Sequence, residues 1–358
     1  MSNAIRLAPR EWGATLVALL AVLWLTPIAW RWIEPLERQP EHRIQYRLGN
    51  DYWMYQRLVH DACQHERLLA LGDSVVLGHW VSPAETLSAH LNQLDGRERV
   101  VNLGVDGAHP VALAGLVEDY GREITGRPVL LHCNLLWISS RDADLQGDKE
   151  RSINHAALIP QFSPRIPCYY ESTAKKVGNV LRRHVSLLGW ADHLQTAHFA
   201  DKSLARWALK HPYQCPFRDL MVEASSPDER PAPGPSGGAV SAPAPRLGKS
   251  NFAWVPLEDS LQWRYFRRTV EVLRQRGNRV FVVIGPFNEH LLTERSRQVY
   301  ADRKQAVAAW LAEQGVPHHV AILLPVAEFA DASHPIGAGY ARMARELRDN
   351  PSFRSLGF

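Results

Sequence analysis

LLALGDSVVLG, residues 68–78, is the stretch of sequence that decides the fold. Its apolar run leads directly into Gly72-Asp73-Ser74, and a second apolar, helix-compatible segment follows. A short apolar run that ends at glycine predicts a buried strand followed by a sharp turn. Ser74 then lies at the carboxyl end of a strand and near a helix N-terminus, where backbone N–H groups favour the negative charge that a serine nucleophile develops. The alternative is that Asp73 and Ser74 only cap the helix.

Alternating strands and helices continue on both sides of a long interruption. Five strands that alternate with helices predict an α/β fold with a parallel sheet covered on both faces. After the strand before Ser74, the predicted strands are 99–104, 128–137, 279–285 and 318–324, and the predicted helices are 83–94, 111–120, 261–274, 295–314 and 336–348.

Composition excludes some classes of function. The chain has 358 residues and a formal charge of +4, and its Lys and Arg residues are scattered, so we expect no nucleic-acid partner. The 16 histidines show no HExxH spacing and the four cysteines no CxxC pair, so no metal site is predicted. Cys168 and Cys215 lie beside prolines and are candidates for a disulfide if the domain is extracytoplasmic.

Residues 12–30 form a predicted transmembrane anchor after an N-terminal tail, 1–11. They are nineteen uncharged residues between Glu11 and Arg31, with Trp12 and Trp30 at the two ends. As a helix they span about 28 Å, close to the thickness of the hydrocarbon core. A cleaved signal peptide is the alternative, but the segment offers no small-x-small cleavage site. Three positive groups lie on each side, so the charge count does not decide the orientation.

The other regions are a linker and an insertion. Residues 31–66 are polar and partly helical, and we expect them to link the anchor to a globular domain formed by 67–140 and 261–350. Within the insertion, 141–260, the Pro- and Gly-rich stretch 224–250 predicts a disordered loop. Residues 175–190 predict a basic amphipathic helix, which either packs as an ordinary surface helix or lies on lipid headgroups.

A base and an orienting acid for Ser74 are present near the C-terminus. Asp331 precedes His334 by three residues in the loop between the last predicted strand and the last helix. An aspartate so placed can hold the imidazole by its Nδ1 proton, leaving Nε2 to take the serine proton. Asp106 and His109 have the same spacing, but His109 follows the second strand and is predicted to be a surface or substrate-side residue. Only the later pair follows the last strand, at the sheet edge where ligands bind.

Four short motifs resemble the four sequence blocks of the SGNH hydrolases, also called GDSL esterases. They are Gly-Asp-Ser at 72–74, Asn-Leu-Gly at 102–104, Asn134, and Asp-x-x-His-Pro at 331–335. The resemblance covers about 66–140 and 261–348, but neither the anchor nor the insertion. One departure is in the third block, which usually reads Gly-x-Asn-Asp and here reads His-Cys-Asn-Leu at 132–135.

The resemblance implies a fold and a chemistry. The fold is a flavodoxin-like three-layer α/β/α sandwich with strand order 2-1-3-4-5 and no metal or organic cofactor. Ser74 attacks an acyl carbonyl, the Gly104 N–H and the Asn134 side chain stabilise the oxyanion, and Asp331 and His334 complete the triad.

Membrane-anchored relatives in this family often remove or transfer acetyl groups on cell-envelope polysaccharides. The resemblance therefore implies a serine esterase or O-acyltransferase with an extracytoplasmic domain, an acylated carbohydrate or other ester as substrate, and polysaccharide assembly proteins as possible partners. The alternative is a non-catalytic glycan-binding module on the same scaffold, which would not need Ser74, Asp331 and His334 together.

A further candidate loop follows the fourth predicted strand. Residues 285–290 read Gly-Pro-Phe-Asn-Glu-His and, in a parallel sheet, open at the same edge as Ser74. Asn288 and His290 are therefore predicted to bind substrate, and their amide and imidazole suit a sugar hydroxyl. The alternative is that this loop only starts the next helix.

Overall fold

The computed structural model describes residues 8–37, 43–218, 220–223 and 249–357. Its centre is a five-stranded parallel sheet in the order β2-β1-β3-β4-β5, which confirms the predicted fold. The strands are β1 (Leu68–Gly72), β2 (Val100–Gly104), β3 (Pro128–Cys133), β4 (Arg279–Ile284) and β5 (His318–Val320). Most of the predicted loop 224–250 lies outside the described residues.

Helices cover both faces of the sheet. In chain order they are α1 (Pro9–Ile33), α2 (Tyr52–Cys63), α3 (Ser74–Leu77), α4 (Leu87–Asp95), α5 (Pro110–Gly115), α6 (Thr173–His184), α7 (Ser186–Phe199), α8 (Leu204–Lys210), α9 (Leu261–Gln275), α10 (Glu294–Glu313), α11 (Gly337–Asp349) and α12 (Pro351–Arg354). Apolar residues of α2, α5, α9 and α10 share one core cluster, and those of α4, α11 and α12 share the other. A π-helical turn, Leu116–Tyr120, continues α5.

The strand β1 shows why the sheet is buried on both faces. Its residues alternate, with Leu69 and Leu71 in the core cluster of α2 and Leu68 and Ala70 in the cluster of α4. A strand packed on both sides needs apolar residues at every position, which explains the continuous run in the sequence. The register pairs Gly72 with Gly104 and Cys133 with Ile284, so the ends of four strands meet at one edge.

The turn after β1 depends on glycine. A Cβ built on Gly72 would lie 2.5 Å from Val76 Cγ2 and 2.8 Å from His132 Cβ. Only glycine therefore allows α3 to begin so close to the neighbouring strand. The short helix ends at Gly78, where φ is +81°. This turn places Ser74 at the carboxyl edge of the sheet.

The last strand is shorter than predicted. The sequence pattern predicts strand over 318–324, but β5 ends at Val320. Its neighbour β4 ends at Ile284, which is paired with Val320, so the residues beyond have no strand to bond. The apolar run of 321–324 therefore continues as a loop, in which Ile322 and Leu323 are exposed.

The region predicted as a linker is part of the core. Met54, Tyr55 and Val59 of α2 are buried in the cluster that covers one face of the sheet. The expected spacer between anchor and domain is therefore a layer of the domain itself. Within the predicted linker, Leu36–Glu37 also pair in parallel with Val222–Glu223 from the insertion.

The segment 175–190 of the insertion belongs to two helices where one was predicted. The segment 175–190 is divided between α6 and α7 at Val185, whose φ of −109° and ψ of 100° are extended. Val177 and Leu181 on α6 are exposed, so the apolar side of this helix is not buried in the domain. A β-branched residue at the break fits the extended backbone, but the helical periodicity on either side concealed it.

The N-terminal helix α1 is long and apolar enough to span a membrane. It has 25 residues, and most of its large apolar side chains, Trp12 and Trp24 among them, are exposed. Its carboxyl end contacts the insertion, where the Trp30 ring lies 5.7 Å from Trp190 and 5.5 Å from Phe217.

The two candidate disulfide cysteines are not bonded to each other. Cys168 and Cys215 are free thiols, the first buried and the second exposed. Cys63 and Cys133 are also free and buried. Cys168 is enclosed by the core cluster, where its Sγ donates to the carbonyl of Leu145, which keeps it from the exposed Cys215.

Candidate active site

Ser74, His334 and Asp331 are in hydrogen-bond contact. The Ser74 hydroxyl lies 2.8 Å from His334 Nε2, and His334 Nδ1 lies 2.8 Å from both carboxylate oxygens of Asp331. The loop after β5 carries the acid and the base, and the turn after β1 carries the hydroxyl. Trp80 Nε1 also donates to Asp331 at 2.9 Å, which fixes the carboxylate from the other side.

The electrostatics suit a general base. Burial disfavours the charged Asp331, but hydrogen bonds from His334 and from the backbone N–H of Ser333 hold the pKa of its carboxyl well below the ordinary range. Burial also disfavours the charged His334, but the hydrogen bond and negative charge of Asp331 outweigh it, so its pKa is raised. The pair therefore holds an ionised acid against an imidazole with increased basicity.

Asp73 is a buried anchor as well as a helix cap. Its carboxylate accepts from the backbone N–H of Val75 at 3.0 Å, which is the capping role that the sequence allows. The same carboxylate accepts from His132 Nδ1 at 3.1 Å, Asn134 Nδ2 at 2.7 Å and Trp137 Nε1 at 2.8 Å. Burial opposes its charge, but the charge of His132 and these donors hold the pKa of Asp73 well below the ordinary range.

His132 is the first residue of the His-Cys-Asn-Leu motif at 132–135. Its ring bridges β1 and β4, with Nδ1 on Asp73 and Nε2 2.9 Å from the Gly285 carbonyl. Both ring nitrogens face acceptors, so the imidazole ties the nucleophile turn to the end of β4. Sequence analysis missed this role because the three residues are far apart in the chain.

The two predicted oxyanion donors differ in their surroundings. Asn134 Nδ2 carries two hydrogens, of which one bonds Asp73 and the other has no hydrogen-bond partner among the described residues. The Gly104 N–H instead donates to Asn102 Oδ1 at 3.0 Å, inside the sheet. A Cβ on Gly104 would lie 2.4 Å from the Leu77 backbone nitrogen, so this glycine allows α3 to pack closely on β2. The Gly104 N–H is thus engaged by Asn102 in the structure, and its role as an oxyanion donor stays a prediction.

A second His–Asp pair lies beside the triad. His79 Nδ1 is 2.8 Å from Asp106 Oδ1, and the His79 ring centroid is 5.5 Å from that of His334. Asp106 thus pairs with His79 and not with His109, whose spacing in the sequence had suggested a partner. The pair joins the ends of α3 and β2, and no local motif indicates it.

His109 is buried, so the prediction of a surface residue is wrong. It is buried at the N-terminus of α5, where its Nδ1 accepts from the Ala112 N–H and its Nε2 lies 3.1 Å from the Asn154 carbonyl. Burial and the neighbouring His155 lower its pKa to about 3. A neutral imidazole that caps a helix replaces the predicted surface residue.

The predicted substrate residues Asn288 and His290 contact backbone carbonyls of the segment that follows β5. Asn288 is buried, its backbone N–H donates to the Ala332 carbonyl at 2.8 Å, and its Nδ2 lies 3.4 Å from the Asp331 carbonyl. It braces the loop that carries the acid. His290 is exposed, and its Nε2 lies 3.2 Å from the Leu324 carbonyl. Phe287 is buried against Trp254 and Tyr300.

A separate charged network lies where α1 meets the domain, and we call it the junction network: Glu34, Asp51, Arg57, His193 and His198. His193 Nδ1 is 2.7 Å from Asp51, and its Nε2 is 2.9 Å from Glu34, which also accepts from Arg57 and from His198 at 2.7 Å. Burial disfavours charge here, but the carboxylates raise the pKa of His193 to about 9, and the two histidines and Arg57 lower that of Glu34 to about 2.

Three members of the junction network could ligate a metal ion. Glu34, His193 and His198 each place one ligand atom within 4.8 Å of the others, although the sequence spacing predicts no metal site. Two carboxylates already balance the charges of Arg57 and of a protonated His193, so the charges of the network are balanced without a metal ion. A divalent cation would have to displace the His193 proton beside a fixed guanidinium.

Comparisons with known proteins add no relative. The chain matches no family model, and none of the curated proteins is similar to it.

Proposed function

We propose that the protein is a serine esterase or O-acyltransferase that works through an acyl-enzyme on Ser74. One observation carries the proposal: His334 lies 2.8 Å from the Ser74 hydroxyl through one ring nitrogen and 2.8 Å from the Asp331 carboxylate through the other. A nucleophile, a base and an orienting acid in this order are what acyl transfer requires.

The mechanism follows from the hydrogen bonds. His334 Nε2 takes the Ser74 proton as Oγ attacks an ester carbonyl, and Asp331 stabilises the resulting imidazolium. The remaining hydrogen of Asn134 Nδ2 is a donor for the developing oxyanion. When the C–O bond breaks, His334 returns the proton to the departing alcohol and leaves an acyl group on Ser74.

The second half of the reaction reverses these roles. Water or a sugar hydroxyl gives its proton to His334 and attacks the acyl-enzyme, and the proton then returns to Ser74 Oγ. Attack by water makes the protein a hydrolase, and attack by a hydroxyl makes it a transferase. The family resemblance supports acetyl groups of a cell-envelope polysaccharide as the substrate.

The proposed location is a membrane, with α1 as a single-pass anchor and the catalytic domain outside the cytoplasm. The length and exposure of α1 support the anchor. The orientation is supported by the resemblance alone. Because Cys215 is the one exposed thiol of the four, a membrane-impermeant maleimide added to spheroplasts should label the wild type and not Cys215→Ser. Labelling only after lysis would place the domain in the cytoplasm.

Hydrolysis of p-nitrophenyl acetate tests the chemistry. The full chain in detergent micelles should turn over this ester, and Ser74→Ala should lose at least about a thousandfold in kcat/KM, as loss of a triad member typically does. Undiminished turnover by Ser74→Ala would refute the proposed nucleophile. A folded wild type that never reacts would favour the non-catalytic glycan-binding alternative.

A further inference from the structure

A large cleft opens between the domain and its insertion, and its volume is about 670 Å³. One wall comes from the segment before and at the start of α2, residues 46–53, and another from Asp106 and Tyr120 of the α/β core. The insertion supplies the rest, through residues 153–157 and parts of α6 and α7. The cleft exists only because the insertion packs against the core.

The lining combines aromatic rings with planar amides. The rings of Tyr52 and Tyr120 lie 5.2 Å apart at one side, and the Tyr52 hydroxyl is held 3.0 Å from His155 Nδ1. The amides of Asn50, Asn154 and Gln195 belong to exposed residues of the lining. Amides both donate and accept hydrogen bonds, and aromatic rings pack against apolar C–H faces. A sugar ring presents these two features, hydroxyls at its edge and C–H groups on its face.

The charges of the lining favour a neutral ligand. Each ionised group that lines the described cleft already has a partner of opposite charge or a histidine: Lys175 with Glu171, Arg182 with Asp192, Asp106 with His79, and Asp51 with His193. A strongly anionic ligand would have to break one of these pairs to gain a cation. Hydroxyl groups need no counter-charge.

One end of the cleft is separated from the triad by a single His–Asp pair. Asp106 lines the cleft and holds His79, whose ring is 5.5 Å from that of His334. Tyr46 also lines it and donates from its hydroxyl to the His79 carbonyl. A ligand that extends beyond Asp106 therefore meets the His79 ring, next to the base of the triad.

We propose that this cleft binds a neutral oligosaccharide and presents one of its hydroxyls as the acyl acceptor. Delivery of the hydroxyl rests on the proposed function, whereas binding itself does not. In the transfer, the acyl–Oγ bond of Ser74 breaks as the acyl–O(sugar) bond forms, and the sugar proton passes through His334 to Ser74 Oγ. The insertion would thus supply the acceptor site that the α/β core lacks.

Binding is measured on the full-length Ser74→Ala chain in detergent micelles, so that no turnover interferes. Calorimetric titration with cellohexaose and chitohexaose, both neutral, should give a dissociation constant below about 1 mM for at least one of them. Hexaguluronate, an anionic probe of the same length, should bind at least about tenfold more weakly. Asn154→Ala and Gln195→Ala should each weaken binding of the neutral probe by about tenfold, since they remove exposed amides from the lining.

Gln298→Ala is the matched control, because Gln298 is an exposed amide on α10 that does not line the cleft. The affinity of the Gln298→Ala variant for the neutral probe should equal that of the parent Ser74→Ala chain. The inference is overturned if neither neutral probe binds, if the anionic probe binds best, or if the control weakens binding as much as the cleft variants do. Turnover of p-nitrophenyl acetate without glycan binding would refute the proposed glycan site in the cleft and leave the proposed function standing. Glycan binding by a wild type that turns over no ester would refute the proposed function alone.

Discussion

Two histidines in this molecule, His334 and His193, each bond a carboxylate through one ring nitrogen and differ in the partner of the other. His334 gives one ring nitrogen to a carboxylate and the other to the Ser74 hydroxyl. His193 in the junction network gives both nitrogens to carboxylates, those of Asp51 and Glu34. A histidine bound between two acids holds its proton and ties elements together, whereas one that faces a hydroxyl can exchange a proton with it. The partner of the second nitrogen therefore distinguishes the proposed general base from a structural histidine.

The largest expected effect is on catalysis. His334→Ala should lower kcat/KM for p-nitrophenyl acetate by at least about a thousandfold, because the base is lost. The melting temperature should change little, since the ring lies at an edge of the fold and not in its core. The matched variant His109→Ala removes a buried cap, so it should destabilise the fold by about 1 kcal/mol and leave a far smaller effect on turnover. If His109→Ala lost more activity than His334→Ala, the base would be misassigned.

The junction network should show the opposite pattern. Glu34→Gln removes one charge from a buried set and leaves His193 and Arg57 short of a partner, so unfolding should cost about 3–5 kcal/mol less. Thermal denaturation with and without the substitution measures this. Remaining folded protein should keep its turnover of p-nitrophenyl acetate. A variant as stable as the wild type would mean that the network contributes little to the fold.

The two histidines should also respond to pH in opposite ways. Turnover needs neutral His334, whose pKa is raised, so kcat/KM should increase with pH and reach half its maximum above pH 6.5. The stability from His193, whose pKa is about 9, is complete below its unfolded value of 6.5 and is lost as pH rises through 9.

Glu34 sets the lower pH limit of the stability that the junction network contributes. The pKa of Glu34 is lowered from 4.5 to about 2, so its contribution to stability is complete above pH 4.5 and is lost as pH falls towards 2. The junction network should therefore stabilise most between about pH 4.5 and 6.5. Urea unfolding between pH 2 and pH 9 measures both changes, and Glu34→Gln should abolish the loss of stability below pH 4.5, whereas Asp51 still holds the His193 proton. A wild type that gains stability between pH 6.5 and 9 would contradict the assignment for His193.

The smallest effects are expected in the loop after β4. Asn288→Ala should reduce turnover of a small ester and of a glycan substrate alike, by about tenfold, because Asn288 braces the backbone that carries Asp331. His290→Ala should change either rate by less than about twofold, since its exposed ring contacts only a backbone carbonyl. Loss of turnover on the glycan substrate alone would support the predicted substrate-binding role of Asn288 and His290.

Local patterns predicted the sheet and the triad loops because their signals are contiguous. The apolar run before Gly72 determines β1, and Asp331 and His334 lie in one loop. Contacts between distant segments had no such signal: the sequence does not indicate that His132 bonds Asp73, that Asp106 pairs with His79, or that Glu34 meets His193. The break at Val185 and the early end of β5 likewise depend on tertiary neighbours.

Gly104 shows what the position of a residue in a sequence motif cannot predict, namely its hydrogen-bond partners. The motif places it correctly at the end of β2, but its N–H is bonded to Asn102, which only the folded chain reveals. Asn288 shows the same limit, because its position at the sheet edge was predicted and its burial was not.

The central claim is that the His334–Asp331 pair activates Ser74 and no other serine. The most direct measurement is reaction of the full chain with a fluorophosphonate, followed by peptide mass spectrometry. We predict one modified residue, Ser74, with labelling abolished in Ser74→Ala and reduced at least about a hundredfold in His334→Ala. Labelling at another serine, or equal labelling of Ser74 in His334→Ala, would contradict the account.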